Sequence, residues 1–202
     1  MKTTWHPICM ESESAEKLER IVKCKLCGQN ISEEQVPLVV KKNIDLLESF
    51  VQDPSKGLPE DVFLFVTRIT VMINVDLLIK NENNQTLLTW RDDSYYSPGW
   101  HVPGGIIRYK ENIVDRVMAV AKNELGAEVN FNPVPIAINE VIHETRKNRG
   151  HFISILYRCG LVSQPNQSLR CKGALPNKNE WQWHNACPDN MISVHEMYRE
   201  LI

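Results

Sequence analysis

The chain has no long apolar run. Its most hydrophobic stretches, such as Val62 to Val66 and Val71 to Ile73, fall far short of the roughly 20 residues a membrane-spanning helix needs, so no membrane association is expected. An excess of basic charge is missing too. With 23 Lys and Arg against 25 Asp and Glu, the formal net charge is −2, which leaves no electrostatic footprint for nucleic acid. The first residues, Met1-Lys2-Thr3-Thr4-Trp5-His6-Pro7, lack the apolar core of a secretory signal, and a cytoplasmic location is expected. In that compartment six cysteines are reduced thiols or metal ligands rather than a disulfide framework. No internal repeat or low-complexity segment is visible.

What is present suits one domain with an extension, because 202 residues comfortably bury a core. Residues 1–57 read as a separate, helical unit. Leu18, Ile21 and Val22 among charges predict a short amphipathic helix over Glu13 to Val22, and Ile44, Leu46, Leu47, Phe50 and Val51 predict a second over Asn43 to Val51. Between them, Cys24-Lys25-Leu26-Cys27 has the spacing of half a zinc knuckle. His6 and Cys9 offer a second pair of ligands for tetrahedral Zn²⁺, although no second Cys-x-x-Cys exists. Free thiols are the plainer reading. Asp53-Pro54-Ser55-Lys56-Gly57 then forms a turn-rich linker.

From Leu58 onward helical and strand patterns alternate irregularly. Pro59-Glu60-Asp61 starts a helix through Arg68, Val71 to Lys80 reads as a buried strand, and Thr86 to Arg91 as its hairpin partner. Asp76 is a lone acid in that apolar strand. Val134 to Thr145 and His151 to Val162 are further β segments, joined by the cationic turn Arg146-Lys147-Asn148-Arg149-Gly150, which can reach toward phosphates or simply be solvated. Trp181-Gln182-Trp183 is a short strand. Met191 to Leu201 closes the chain as a helix with Met191, Val194, Met197, Tyr198 and Leu201 on its apolar side. Together these elements predict an α+β fold with a mixed sheet sandwiched between helices.

The most informative stretch runs from Gly99-Trp100-His101-Val102-Pro103-Gly104-Gly105 to Glu124-Leu125-Gly126. It predicts a strand ending in a glycine loop, then a helix opened by Glu111 and closed by Gly126. Ile113, Val117, Val120 and Ala121 form its apolar stripe. Glu124 falls on the same stripe, and an ionised carboxylate facing a core needs a cation or a charged partner. Mg²⁺ with help from glycine-loop carbonyls meets that need.

Gly105, Glu111 and Glu124-Leu125-Gly126, so spaced, resemble the Nudix box, G-x5-E-x7-R-E-U-x-E-E-x-G-U. The copy is degenerate: Ala119 and Val120 occupy the Arg-Glu pair, and Asn123 the first of the two adjacent metal-binding glutamates. The context resembles the GDP-mannose mannosyl hydrolase branch, which also lacks a helix glutamate. Trp100 to Gly105 is similar to that branch's Trp-Phe-Val-Pro-Gly-Gly. Val75-Asp76-Leu77-Leu78-Ile79 is similar to its Leu-Asp-Phe-Ile-Val strand, with Arg91 at its spacing.

The resemblance covers 58–202 and implies a Nudix domain there, hydrolysing a nucleoside diphosphate sugar such as GDP-mannose. It implies Mg²⁺, or Mn²⁺, held by Glu124 and the carbonyls of Gly104 or Gly105, with the carbonyl of Phe152 nearby. Asp76 and Arg91 would contact the nucleotide sugar. The branch's two leaving-group arginines fall on Ile106 and Ala119, and Arg108 is the expected substitute. The branch's catalytic histidine falls near Lys178, so His143 and His151 become the candidate bases and Glu111 orients the loop. The branch further implies a homodimer. Two alternatives remain: a pyrophosphatase attacking phosphorus, and a non-catalytic nucleotide-sugar-binding protein.

Overall fold

A computed structural model describes residues 22–23, 28–32, 35–93 and 95–202. His6, Cys9, Cys24 and Cys27, and all but the last residue of the helix expected over Glu13 to Val22, lie outside the described residues. The chain divides into two compact units, residues 1–54 and 55–202. In the first, β1 (Val22–Lys23) pairs antiparallel with β2 (Asn30–Ile31), and α1 spans Val36–Ser49. The helix thus begins seven residues before the expected Asn43, because Pro37 in its first turn needs no intrahelical donor there.

The second unit opens with α2 (Glu60–Val66), β3 (Met72–Ile79) and β4 (Thr86–Arg91). Asn84, at φ 60°, makes the left-handed turn between the two strands. β5 (Gly99–His101) and β6 (Gly104–Ile106) follow, so the glycine pair expected in a loop instead lies in a strand. Pairing explains the difference, since Gly104 and Gly105 stand opposite Asp76 and Val75 of β3.

Next comes α3 (Ile113–Val120), whose N-cap is Asn112 rather than Glu111; the Asn112 side chain accepts the Asp115 N–H at 2.9 Å. A single π turn over Ala121–Leu125 extends it to Gly126, whose φ of 61° closes the element as the sequence predicts. The remaining strands are β7 (Val129–Phe131), β8 (Ala137–Ile142), β9 (His151–Leu161) and β10 (Trp181–His184).

The strands form two sheets in this unit. One has β6, β3 and β9 side by side, with β7 and β8 both on the far edge of β9, and its β3–β9 pair is parallel while every other pair is antiparallel. The other runs β10-β4-β5. The mixed sheet and α+β architecture are therefore present. Val117, Val120, Ala121 and Leu125 pack from one side onto Val75, Leu77, Ile79 and Trp181. From the other side Met191 and Tyr198 meet Leu78, Leu88, Trp100 and Leu156.

The closing segment Ser193–Leu201 is a 3₁₀ helix rather than the expected α-helix. In a 3₁₀ helix residues three apart are superposed, so Val194 and Met197 share one row, and His195 and Tyr198 another. Both members of the second row are buried.

Candidate active site

Asp76 is carried into the interior of the second unit by the apolar run of β3, where it is 3% exposed. Its Oδ2 accepts hydrogen bonds from Tyr198 Oη at 2.8 Å and from Ser154 Oγ, while Ser154 and Tyr198 meet each other at 2.7 Å. Burial pushes the Asp76 carboxyl up to about 6, against the lowering effect of those hydroxyls and of His101.

His195 completes this inner cluster. Its Nδ1 accepts the Val102 N–H at 3.0 Å, so a neutral ring carries its proton on Nε2, which faces Asp76 Oδ2 at 3.7 Å. Burial first, then the nearby charges of His101 and Arg91, hold its pKa well below the ordinary histidine value.

Glu124 approaches from the π turn. Its Oε1 accepts the Gly104 N–H at 3.0 Å and its Oε2 accepts Thr89 Oγ1 at 3.0 Å, with His101 Nε2 3.4 Å from the same Oε2. Thr89 and His101 are cross-strand partners on β4 and β5, which is why hydroxyl, imidazole and carboxylate converge. The carboxylate on the apolar stripe has thus found polar partners, and it keeps 26% of its side chain exposed. Gly104 ties the two acids together: a Cβ there would fall 2.1 Å from Asp76 Oδ1, so only glycine lets the strand pass.

Hydrogen bonds from Leu77 N to Pro103 O and from Ile107 N to Ile73 O bracket the β3–β6 ladder. By the antiparallel alternation Gly105 faces Val75 within it, while the amide and carbonyl of Gly104 point away from β3, on the edge where Glu124 lies. One carboxylate and one carbonyl on that edge fit Mg²⁺, which completes its shell with water and substrate phosphate. Among the described residues no three His, Cys, Asp or Glu side chains converge as a metal cluster, so a protein-only cage is not present there.

Other expected residues fall elsewhere. Glu111 pairs with Arg116 through two bonds of 2.8 and 2.7 Å and accepts the Arg108 N–H at 2.8 Å, so it fixes the loop before α3. Burial pushes its carboxyl up, but those partners outweigh it and hold the group below the ordinary glutamate value. Arg108 is exposed on that loop. Arg91 pairs with Asp93 and lies 4.9 Å from the Tyr96 ring. Phe152 pairs with Met72, four positions along β9 from the Leu156 opposite Asp76, or about 13 Å. His151, at the very start of β9, is five positions away, about 16 Å, and bonds Glu140 at 3.0 Å. His143 stands beside it, its backbone N–H donating to Gly150 O at 2.7 Å. The histidines that the structure brings to the two acids are instead His101 and His195.

No protein-family model matches the chain. A low-salt glycan biosynthesis protein, Agl8, from Haloferax volcanii is 32% identical over 78 residues, 39% of this chain and 49% of that protein. The match therefore spans about half the length of that curated relative. Among solved structures, the chain is similar to an ADP-ribose pyrophosphatase from Streptococcus suis (18% identity, TM-score 0.46, covering 65% of this chain and 87% of that one). It is also similar to a Nudix hydrolase from Nitrosomonas europaea (17%, TM-score 0.48, 65% and 73%) and a MutT protein from Methanosarcina mazei (24%, TM-score 0.40, 56% and 76%). At such identities and TM-scores the functional reading rests on the site's own chemistry.

Proposed function

We propose that residues 58–202 form a Mg²⁺-dependent hydrolase of the Nudix type acting on a nucleoside diphosphate sugar, with GDP-mannose as the first substrate to test. The observation that carries this reading is the setting of Glu124, held between the Gly104 amide and the Thr89 hydroxyl with His101 alongside. Of the other eroded box positions, Val120 is packed in the core and Asn123 is exposed. With Glu111 committed to Arg116, Glu124 is the one box carboxylate left for a metal, which favours one cation over the several used to attack phosphorus, and hence water attack at the sugar's anomeric carbon. The description of the Haloferax protein, glycan biosynthesis, supports a sugar-bearing substrate.

Glu124 and the Gly104 carbonyl would hold Mg²⁺, which when bound neutralises the diphosphate. His101 takes the proton of the attacking water as oxygen bonds to the anomeric carbon. The bond from that carbon to the β-phosphate oxygen breaks, and the nucleoside diphosphate leaves with the electron pair. Arg108, on the exposed loop after β6, meets the leaving diphosphate. Asp76 is a positioning residue: with Ser154, Tyr198 and His195 it fixes the floor beneath Gly104 and lends His101 a neighbouring negative charge. Homodimerisation and a cytoplasmic location belong to the same proposal.

Turnover of a nucleotide-sugar panel by the full chain, with Mg²⁺ and after chelation, is the test. Metal-dependent release of sugar that disappears in Glu124→Gln is expected. Undiminished turnover in that variant overturns the assignment of Glu124.

A further inference from the structure

A cavity of about 310 Å³ opens away from the two acids. Thr67, Arg68 and Thr70, at the end of α2 and the turn after it, line one side, and His143, Arg146 and Lys147 from the β8–β9 connection line the other. None of the residues that line it is acidic. His151 also lines it, which places the cavity at the start of β9, about 16 Å along the strand from the Asp76 rung.

Two details indicate what this space is built to hold. His143 Nε2 and Arg146 Nη1 are shielded from solvent and have no hydrogen-bond partner. An Arg146 N–H left unmet is costly, and an acceptor beside it removes the cost; the tautomer of His143 that carries its proton on Nε2 offers a second donor. The Arg146 guanidinium is also held in place, because its Nη2 donates to Tyr95 O and its Cζ lies 4.2 Å from the Tyr96 ring centre. Arg68 is braced by the Asn148 side chain at 3.0 Å, and Lys147 adds a third cation. Three cations line one hollow, and an anion entering it would meet all of them. The volume is at the small end for ligand sites and accommodates a phosphate with a compact organic body.

We propose that this cavity is a binding site for a phosphate dianion, either free phosphate or a compact phosphate monoester. Arg146 and Arg68 present their N–H groups to its oxygens, Lys147 supplies a point charge, and the Thr67 and Thr70 hydroxyls and His143 complete the ring of donors. The site is separate from Glu124, and its occupation does not depend on what Glu124 does.

The test is calorimetric titration of the full chain with inorganic phosphate and, separately, with glucose 1-phosphate, in the absence of divalent metal. Saturable binding is expected, weakened roughly tenfold for each cation removed in Arg68→Met and Lys147→Met, kept in Arg68→Lys with Lys147→Arg, and unchanged in Glu124→Gln. Both substituted residues project from surface turns, and a thermal melt of each variant verifies that the fold persists. Tighter binding of the sugar ester identifies it as the occupant, and equal binding identifies free phosphate. Absence of binding at millimolar concentration, binding indifferent to the methionine variants, or binding lost in Glu124→Gln overturns the proposal.

Discussion

Asp76 Oδ1 lies so close to the Gly104 Cα that a methyl group on residue 104 would come within 2.1 Å of it. The same glycine also gives its N–H to Glu124 Oε1 at 3.0 Å, so one backbone unit separates and spaces the two acids. Gly104→Ala should therefore displace Asp76 from Ser154 and Tyr198. A loss of about 1–3 kcal/mol of stability is expected, as for other overpacked sites, together with most of the activity. Denaturant unfolding of the variant checks the first, and wild-type stability would contradict the contact.

Asp76 also makes a pH prediction. Its folded value of about 6 lies above the ordinary 3.8, so the folded chain binds the proton more tightly than the unfolded one. The sign follows: the penalty is absent below about pH 4, grows as pH rises between about 4 and 6, and is complete above, where it amounts to about 3 kcal/mol. Asn at 76 can still accept from Ser154 and Tyr198 but never ionises. The stability difference between Asp76→Asn and the parent should shift by that amount in the variant's favour from pH 4 to pH 7. A difference that stays constant with pH would place Asp76 in a more polar setting.

His101 is expected to move the proton of the attacking water. His101→Gln should lower kcat by about 10²–10⁴-fold and leave substrate binding nearly intact, a range usual for general acid–base groups. Equal rates in variant and parent would remove His101 from the chemistry.

Arg116, 7% exposed in its side chain, is the side-chain partner of Glu111 among the described residues, and the Glu111 side chain is 14% exposed. Replacing Arg116 with Met leaves a largely buried carboxylate with only the Arg108 backbone N–H to meet it. A loss of about 3 kcal/mol is expected, and Glu111→Gln on the Arg116→Met background should recover part of it. Independent, additive effects in that double-mutant cycle would contradict the pairing.

Much of this framework is legible in the sequence. The β-branched runs of β3, β4 and β9 announce strands, and Gly126 marks the end of the box helix. Glu124 is conspicuous as an acid on an apolar stripe. Three features escaped for physical reasons. His195 joins Tyr198 at Asp76 as the closing helix winds with three residues per turn, whereas a count at 3.6 leaves the histidine off the centre of the apolar face. Arg116 follows Glu111 by five residues, a spacing that no regular helical pairing rule flags, because Glu111 precedes the helix and reaches back over it. His101 reads as one more ring in an aromatic strand until pairing sets it across from Thr89. That pairing was the available signal, since Thr89 and His101 lie on neighbouring short strands. His143 and His151 were plausible bases by residue type alone, and the strand register puts them at the far end of β9.

The most direct measurement is hydrolysis of a nucleotide sugar in ¹⁸O-water with Mg²⁺, followed by mass spectrometry of both products. Label is expected in the free sugar, alongside an unlabelled nucleoside diphosphate. Label in a phosphate would contradict attack at carbon, and absence of turnover across the panel, with ligand still bound, would contradict catalysis itself.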